Sequence, residues 1–360
     1  MKFIPMNPFK IYQKLIKAFN HPGRKSKLTI MYEYTKLKIS NPVLADQYFI
    51  KYFFHKGITN FSDYLIGNKI LEKSWRVNKE KYFPVLSDKK YFAAFFNHHK
   101  VNVVKTLGAN DKTLFFRESK MNILHSPYEF LSFLFSLNNP GINKDLLIIK
   151  KRKDTHGGKD VYKISLKKLK EDKTKLKKIF TEIISDAFII QEYLQQHEDL
   201  NKINPHSINT MRTTTYTTRG GTTKILPLIL RTSLNNSYLD NLSKGGGYIG
   251  VHPEKGTLMD TIYSNIEKNT GHFLQVHPIT NFMFKNFPLP FLDDIKTMVL
   301  RAASLVPQFT LVGWDVAFTK NGPVIIEGNT RPGLHELEVI AGGAKNNKAL
   351  HELVEDIKNS

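Results

Sequence analysis

Two acids and an amide near the C-terminal end have the types and spacing to hold a divalent cation: Asp315, Glu327 and Asn329 in GWDVAFTKNGPVIIEGNTRPGL. Val312, Trp314, Val316 and Phe318 alternate with Gly313, Asp315, Ala317 and Thr319, and Val324, Ile325 and Ile326 form a second apolar run, so the stretch reads as two strands. Lys320-Asn321-Gly322 supplies the turn. A three-residue loop ending in a left-handed residue suits Gly322 and sets Thr319 opposite Pro323 and Asp315 opposite Glu327. Alternation then puts Asp315, Glu327 and Asn329 on one face. Like charges directly opposite each other destabilise a hairpin, so the pair calls for a cation between or beside it, and hard carboxylate and amide oxygens suit magnesium. A solvated polar face would carry the same letters, and the rest of the chain has to decide.

A second constellation is suited to anions. In LLIIKKRKDTHGGKDVYKI an apolar strand ends in Lys150 and Lys151, and Gly157-Gly158 followed by Lys159 forms a loop whose backbone amides can approach an anion without obstruction. The spacing is not that of a Walker A loop, and the loop opens onto a strand instead of a helix. Alone, a diglycine between strands is a hairpin turn. Further on, the apolar strand of IIQEYLQQHEDL turns polar at Gln191-Glu192-Tyr193-Leu194, where an exposed backbone edge can offer a carbonyl and an amide to an adenine ring.

Phosphate loop, hinge and distal acid pair follow one another in an order that resembles the ATP-grasp superfamily, specifically its sugar-transfer associated branch. Lys150 resembles that family's phosphate-contacting lysine; the family usually has proline next, where this chain has Lys151, so either lysine fits the role. Residues 191–217 are similar to the family's hinge followed by an Asn-Thr-x-Arg strand, which implies that Asn209 and Arg212 face nucleotide phosphates or substrate. Residues 230–256 are similar to the branch's Arg, Asp-Asn and glycine-run region, with Arg231, Asp240, Asn241 and Gly246, and the closing hairpin, which runs on into Arg331, matches its metal strands. The likeness spans residues 86–340, with a loose echo at Trp75, Asn78, Asp88 and Lys89. It implies ATP and Mg2+ as cofactors: Asp315, Glu327 and Asn329 as metal ligands, Lys150, Lys151, Gly157, Gly158, Lys159, Gln191, Glu192, Tyr193, Leu194 and Asn209 around the nucleotide, Arg212 and Arg231 at the reacting groups, and Asp240, Asn241, Gly246 and Arg331 toward the acceptor. His156 and His335 lie near these segments and are expected to be ordinary satisfied polar residues.

The elements that must position these groups are an α+β set. Helix is expected from Ser87 or Asp88 through Phe96 and from Pro127 to Phe135, strands at Val101–Val104, Thr113–Phe116, Leu146–Ile149 and Val161–Ile164, a lysine-rich helix over 167–187, and a strand at Phe188–Ile190. From about Asn209 strands predominate, including Met211–Thr218 and Lys224–Arg231, before a helix at Leu292–Leu305. The resulting organisation is a basic, mostly helical region (1–85), a first ATP-grasp subdomain (86–190) and a second (191–360), the two subdomains clasping ATP.

Bulk properties bound the function. The chain has 360 residues, 41% hydrophobic and 24% charged, with no cysteine, which excludes thiolate metal sites and a cysteine nucleophile. Its net charge of +21 calls for an anionic partner or substrate. Nucleic-acid modules are not recognisable, so a nucleic-acid partner is not expected. No signal-peptide pattern appears, and a cytoplasmic location follows. No Asp or Glu occurs in residues 1–32, where Ile11, Leu15, Ile16 and Phe19 fall at helical spacing opposite lysines; such a helix either packs on the protein or lies on an anionic membrane at its inner face. The resemblance implies an ATP-dependent carboxylate-amine ligase acting through an acyl phosphate, in polysaccharide or capsule biosynthesis, on a small or sugar-linked carboxylate and an amine. A kinase of the same fold, or a binding protein for membrane or anionic glycan with a degenerate ATP site, is the alternative.

Overall fold

The computed structural model describes residues 8–137, 145–153, 160–238, 240, 242, 245–264 and 273–359. Two antiparallel sheets organise it. The smaller contains β1 (Thr106–Asp111), β2 (Leu114–Arg117), β3 (Lys120–Ile123), β4 (Leu146–Lys151), β5 (Val161–Ser165) and β6 (Phe188–Glu192), in the order β3-β2-β1-β6-β4-β5. Helices Pro127–Ser136, Leu166–Glu171 and Lys173–Ile183 bury Phe130, Leu134, Leu169, Phe180 and Ile183 with Leu147, Ile149 and Ile190 of the strands. Ser126 and Glu129 start the first of these helices with a reciprocal capping box, which explains why its beginning was readable.

The larger sheet contains β7 (Thr210–Thr217), β8 (Thr223–Ile225), β9 (Ile229–Ser233), β10 (Gly246–His252), β11 (Thr257–Ser264), β12 (Phe273–Leu274), β13 (Leu311–Thr319) and β14 (Gly322–Asn329). Its order is β12-β11-β10-β9-β7-β13-β14, with β8 on β7. Strand alternation splits its side chains between two cores. Val312, Trp314, Val316 and Phe318 join Leu86, Phe92 and Phe96 and the helix Leu292–Ser304 on one side. Leu311, Tyr216 and Ile229 join residues of the first 66 positions and the helix Lys348–Lys358 on the other. The N-terminal region is therefore part of the large sheet's packing. Lys51 and Glu338, both fully buried, lock it there: Glu338 also accepts from the Ile66 amide at 3.0 Å, and Lys51 donates to the Ile66 carbonyl at 2.6 Å.

Several expectations are corrected by these contacts. Val101–Val104 is not a strand of the small sheet; Val103 makes an isolated bridge to Ile325, and the true first strand begins at Thr106. That strand, TLGAND, reads like a turn, yet Gly108 is needed because a Cβ would lie 3.1 Å from the Phe116 carbonyl. Asn110 also belongs there, because its amide serves the carbonyls of Lys112, Ile183 and Asp186 and accepts from the Phe188 amide. The lysine-rich helix is two helices, since Asp172 caps the second by accepting from the Lys175 amide. The run 224–231 divides into β8 and β9 around Pro227, which cannot donate to a ladder. Residues 86–98, expected with the first subdomain, place Leu86, Phe92 and Phe96 in the large sheet's core.

The closing hairpin reaches the expected pairing by another route. Its turn has two residues, Lys320-Asn321, and Gly322 at φ +110° pairs with Thr319. That register alone would misalign the acids. A bulge between the pairs Val316–Ile325 and Asp315–Glu327 leaves Ile326 over and restores Asp315 opposite Glu327.

Candidate functional site

A cleft lies between the sheets. Val104, Ile148, Leu194 and Ile326 line it, together with the strand edge Gln191-Glu192-Tyr193-Leu194 where β6 leaves the small sheet, and Lys163, opposite Ile148, lies over the Tyr193 ring. Lys89, Lys150, Asp240, Asp315 and Glu327 line it as well. The bulge makes this possible on the large-sheet side: consecutive residues Ile326 and Glu327 both face the cleft. A buried oxygen of the Gln191 side chain, Oε1, has no hydrogen-bond partner, an acceptor left over for a ligand donor.

Strand alternation separates the two lysines that the sequence could not. Lys150 enters the cleft, while Lys151 turns to the opposite face and pairs with Asp186 at 2.5 Å. Burial pulls the Lys150 ammonium down to about 8; Glu327 and Asp315 oppose that and Lys89 adds to it. Lys89 is the first residue of the helix Lys89–His98. Asp88 caps that helix and holds Arg152 at the end of β4 through both carboxylate oxygens, at 3.1 and 2.7 Å, so one acid fixes the two lysine-bearing elements together.

Arginine is the cation beside the acid pair. Arg212 on β7 stands directly opposite Asp315 and grips both its carboxylate oxygens, Nη2 to Oδ2 at 2.8 Å, and Arg231 on β9 places Nη1 3.7 Å from Oδ1. Burial pushes the Asp315 carboxyl up, but the two guanidiniums hold it below the usual carboxylate range. Asn329 donates to Asp315 Oδ2 at 3.3 Å. Burial and the neighbouring Arg212 lower the Arg231 pKa, and its Nε is buried without a partner. Thr210, two residues before Arg212 and on the same face, donates to Asp240. Burial pushes the Asp240 carboxyl up to about 6, with Asp315 adding and Thr210 and Arg231 opposing.

Three expected site residues, Asn209, Gly246 and Arg331, do not line the cleft. Asn209 falls on the far side of the β7 alternation, with its side-chain amide on Gln196 Oε1 and the carbonyls of Leu200 and Asn204, so it organises the chain before β7 and does not line the cleft. Gly246 is the first residue of β10, paired with Ser233, and does not line the cleft. Arg331 turns outward to Glu80 and the Phe83 ring. Gly157, Gly158, Lys159, Asn241 and His156 lie outside the described residues. His335, expected to be satisfied, is half-buried away from the cleft with its Nδ1 buried and unpartnered, and desolvation takes its pKa down to about 4. Asn78 clamps the start of β13 by bonding to Leu311 and Thr330 carbonyls.

Lys89, Thr210, Tyr238 and Ile326 are cleft residues that the sequence reading did not place in its site. A lysine just after an N-capping aspartate could have pointed to Lys89. Nothing local marks Tyr238, whose hydroxyl crosses the cleft to the Val161 carbonyl at 2.8 Å. Nor does any local pattern mark Ile326, which faces in only because of the bulge.

Chemically, the apolar side chains beside the strand edge suit a planar ring and the lysines suit phosphate. Among the described residues no three His, Cys, Asp or Glu side chains form a closed metal cage. Two carboxylates and an amide oxygen nevertheless fit magnesium, which takes few protein ligands and fills its octahedron with phosphate oxygens and water.

The family described as sugar-transfer associated ATP-grasp matches residues 72–356. No curated protein matches the sequence. Similar solved structures include the ADP complex of PurK, N5-carboxyaminoimidazole ribonucleotide synthetase, at 8% identity, covering 71% of this chain and 48% of that one with a TM-score of 0.42. D-alanine–D-alanine ligase from Bacillus anthracis is 12% identical, with 76% and 68% covered and a TM-score of 0.41. The ATP-grasp ligase PsnB with minimal precursor, Mg and ADP is 11% identical, with 78% and 62% covered and a TM-score of 0.40. The chain spans about half the length of PurK and under two thirds of PsnB.

Proposed function

Because this chain belongs to the sugar-transfer associated ATP-grasp family, we propose that it is an ATP-dependent ligase that joins a carboxylate to an amine through an acyl phosphate. One observation carries the reading: a single cleft is lined by a strand edge with apolar side chains and by Lys150, which stands in the field of Lys89 and the acid pair Asp315 and Glu327. In this reading the Gln191–Leu194 edge receives adenine between Ile148 and Ile326. Lys150 and Lys89 neutralise the phosphates. Arg231, with its unpaired Nε, faces the acceptor carboxylate and the transferring phosphoryl group.

Asp315, Glu327 and Asn329 would hold magnesium, which supplies charge neutralisation at the phosphate oxygens. Arg212 keeps Asp315 ionised and oriented for that task. The acceptor carboxylate oxygen attacks the terminal phosphorus and ADP leaves. An amine then attacks the carbonyl carbon of the acyl phosphate, inorganic phosphate departs, and the nitrogen loses a proton. No protein nucleophile takes part; positioning and charge neutralisation are the protein's contribution. Asp240, facing the cleft beside Arg231, contacts the acceptor side. The acid is one carried on a sugar of a polysaccharide or capsule pathway, a reading supported by the family's description and by the net charge of +21, which suits anionic acceptors.

The test is to incubate the protein with ATP, magnesium and pools of sugar acids and amines, and to follow ADP and product mass. Release of ADP that needs both an acid and an amine, with a condensation product of matching mass, supports the ligase. ADP formed with a hydroxyl acceptor alone and a stable phosphorylated product would make it a kinase instead.

A further inference from the structure

The helices Pro8–Phe19 and Lys27–Ser40 divide their apolar side chains between the core and the surface. Inward, Ile30, Tyr34 and Leu37 are buried, and Ile11, Leu15 and Phe19 pack against the same core. Most of the face expected from sequence to meet a membrane is thus already used. Outward, Phe9, Tyr12 and Ile16 recur at helical spacing on the first helix and Leu28, Tyr32 and Ile39 on the second, with Leu28 84%, Tyr32 66% and Ile39 82% exposed. A surface helix of a globular protein ordinarily carries polar residues there. Exposed apolar groups recurring along one helix, as Leu28, Tyr32 and Ile39 do, mark an interaction face.

We propose that this face docks the protein onto an anionic membrane surface, with Leu28, Tyr32 and Ile39 entering the headgroup region. Charge selects this occupant. Lys27 and Lys36 are exposed beside these residues, with Lys27 Nζ 5.7 Å from the Phe19 ring and Lys36 Nζ 5.8 Å from the Tyr32 ring. The one acid of the second helix, Glu33, is turned inward, where Lys25 at 2.8 Å and the Tyr48 hydroxyl at 2.8 Å satisfy it. The face therefore presents aromatic and aliphatic groups interleaved with lysine and without a free acid. Lysine is depleted from the cores of protein–protein interfaces but is favoured beside anionic lipid, where each basic residue near the surface adds to binding. Among the described residues no helix is long and apolar enough to cross a membrane, so attachment is peripheral. This inference is independent of the reaction in the cleft.

Flotation of the full chain with lipid vesicles tests it. Vesicles of phosphatidylcholine with about one-third phosphatidylglycerol, at about 0.15 M salt, are expected to carry the protein up, and pure phosphatidylcholine to bind it at least about tenfold more weakly. Leu28→Ser/Tyr32→Ser/Ile39→Ser is expected to lose at least about tenfold in partitioning with an unchanged melting temperature, and Lys27→Gln/Lys36→Gln to lose several-fold. The lysine variant keeps the test open if the apolar one fails to fold. A protein that stays in solution with anionic vesicles overturns the proposal, as does equal binding to neutral vesicles. A dimer in sedimentation that the apolar variant converts to monomer would assign the face to a second copy instead.

Discussion

Arg212 and Asp315 face each other across β7 and β13 and form a buried, two-point ion pair. This pair resolves why a hairpin tolerates Asp315 opposite Glu327: a guanidinium fixed on the neighbouring strand offsets one carboxylate. It also separates two jobs. Arg212 grips both carboxylate oxygens of Asp315 and positions it, whereas Arg231 approaches one of them to 3.7 Å and keeps a buried Nε without a partner.

Stranding either member should be destabilising. Arg212→Ala is expected to lower the unfolding free energy by ~3–5 kcal/mol, because a buried carboxylate loses its main partner. Arg212→Ala/Asp315→Ala should be less destabilised than the sum of the single variants, by ~1 kcal/mol or more. Urea unfolding of the four proteins measures this coupling, and an additive cycle would show that the pair does not act as a unit.

Lys150 and Lys151 should behave differently although they are neighbours. Lys150→Met is expected to raise the KM for ATP by ~10-fold or more, since a charged hydrogen bond to phosphate is worth ~1.5–3 kcal/mol. Lys151→Met, which removes a partly exposed pair with Asp186 outside the cleft, should change it little. The Lys150 pKa of about 8 adds a pH signature. Below that value the ammonium is charged and attracts phosphate; above it the charge is lost and nucleotide affinity should fall. Titration calorimetry with ATP across that range should show the fall in the wild type and not in Lys150→Arg. A flat wild-type profile would argue against contact between Lys150 and phosphate.

How legible this was varies residue by residue. The Asp315–Glu327 pairing followed from alternation and turn chemistry, and it survived because two departures cancel: the loop is one residue shorter and the bulge leaves one residue over. Gln191 to Leu194 were legible because a buried strand changes character abruptly as it leaves its sheet. Asn209 was misplaced for a reason internal to β7: with Thr210 and Arg212 turned toward the acids, its odd-numbered neighbours must face the other way, and Met211 is in the core. The strand at Thr106–Asp111 was hidden because Gly108 and Asn110 answer to tertiary contacts, the Phe116 carbonyl and the distant segment 183–188, that no local window contains.

Asp240 gives a pH-dependent stability whose sign can be worked out. Its folded pKa of about 6 lies above the ordinary 3.8, so the folded state holds this proton more tightly than the unfolded chain. The associated stability is present below about 3.8 and is lost as pH rises through about 6. Asp240→Asn removes the charge that burial disfavours, so it should stabilise relative to wild type by on the order of 2–3 kcal/mol at neutral pH and by little near pH 4. Thermal melts of both proteins between those limits give the difference. A constant difference across the range would mean that Asp240 is well solvated.

The last expectation concerns where the folding unit begins. The family match starts at residue 72, yet Tyr48, Phe49, Phe53 and Ile66 share a core with Tyr216, Ile229 and Leu311 of the large sheet and with Leu353 of the helix Lys348–Lys358. The buried Lys51–Glu338 pair crosses the same boundary. Lys51→Met leaves Glu338 buried without its cation and should lower the unfolding free energy by ~3–5 kcal/mol, whereas Lys51→Met/Glu338→Leu should recover a large part of that loss. A fragment starting at residue 72 would expose the apolar side of the large sheet and should aggregate or melt without a cooperative transition. If that fragment melted cooperatively at the temperature of the full chain, the N-terminal helices would be an appendage, and the shared core would contribute nothing to the stability of the ATP-grasp body.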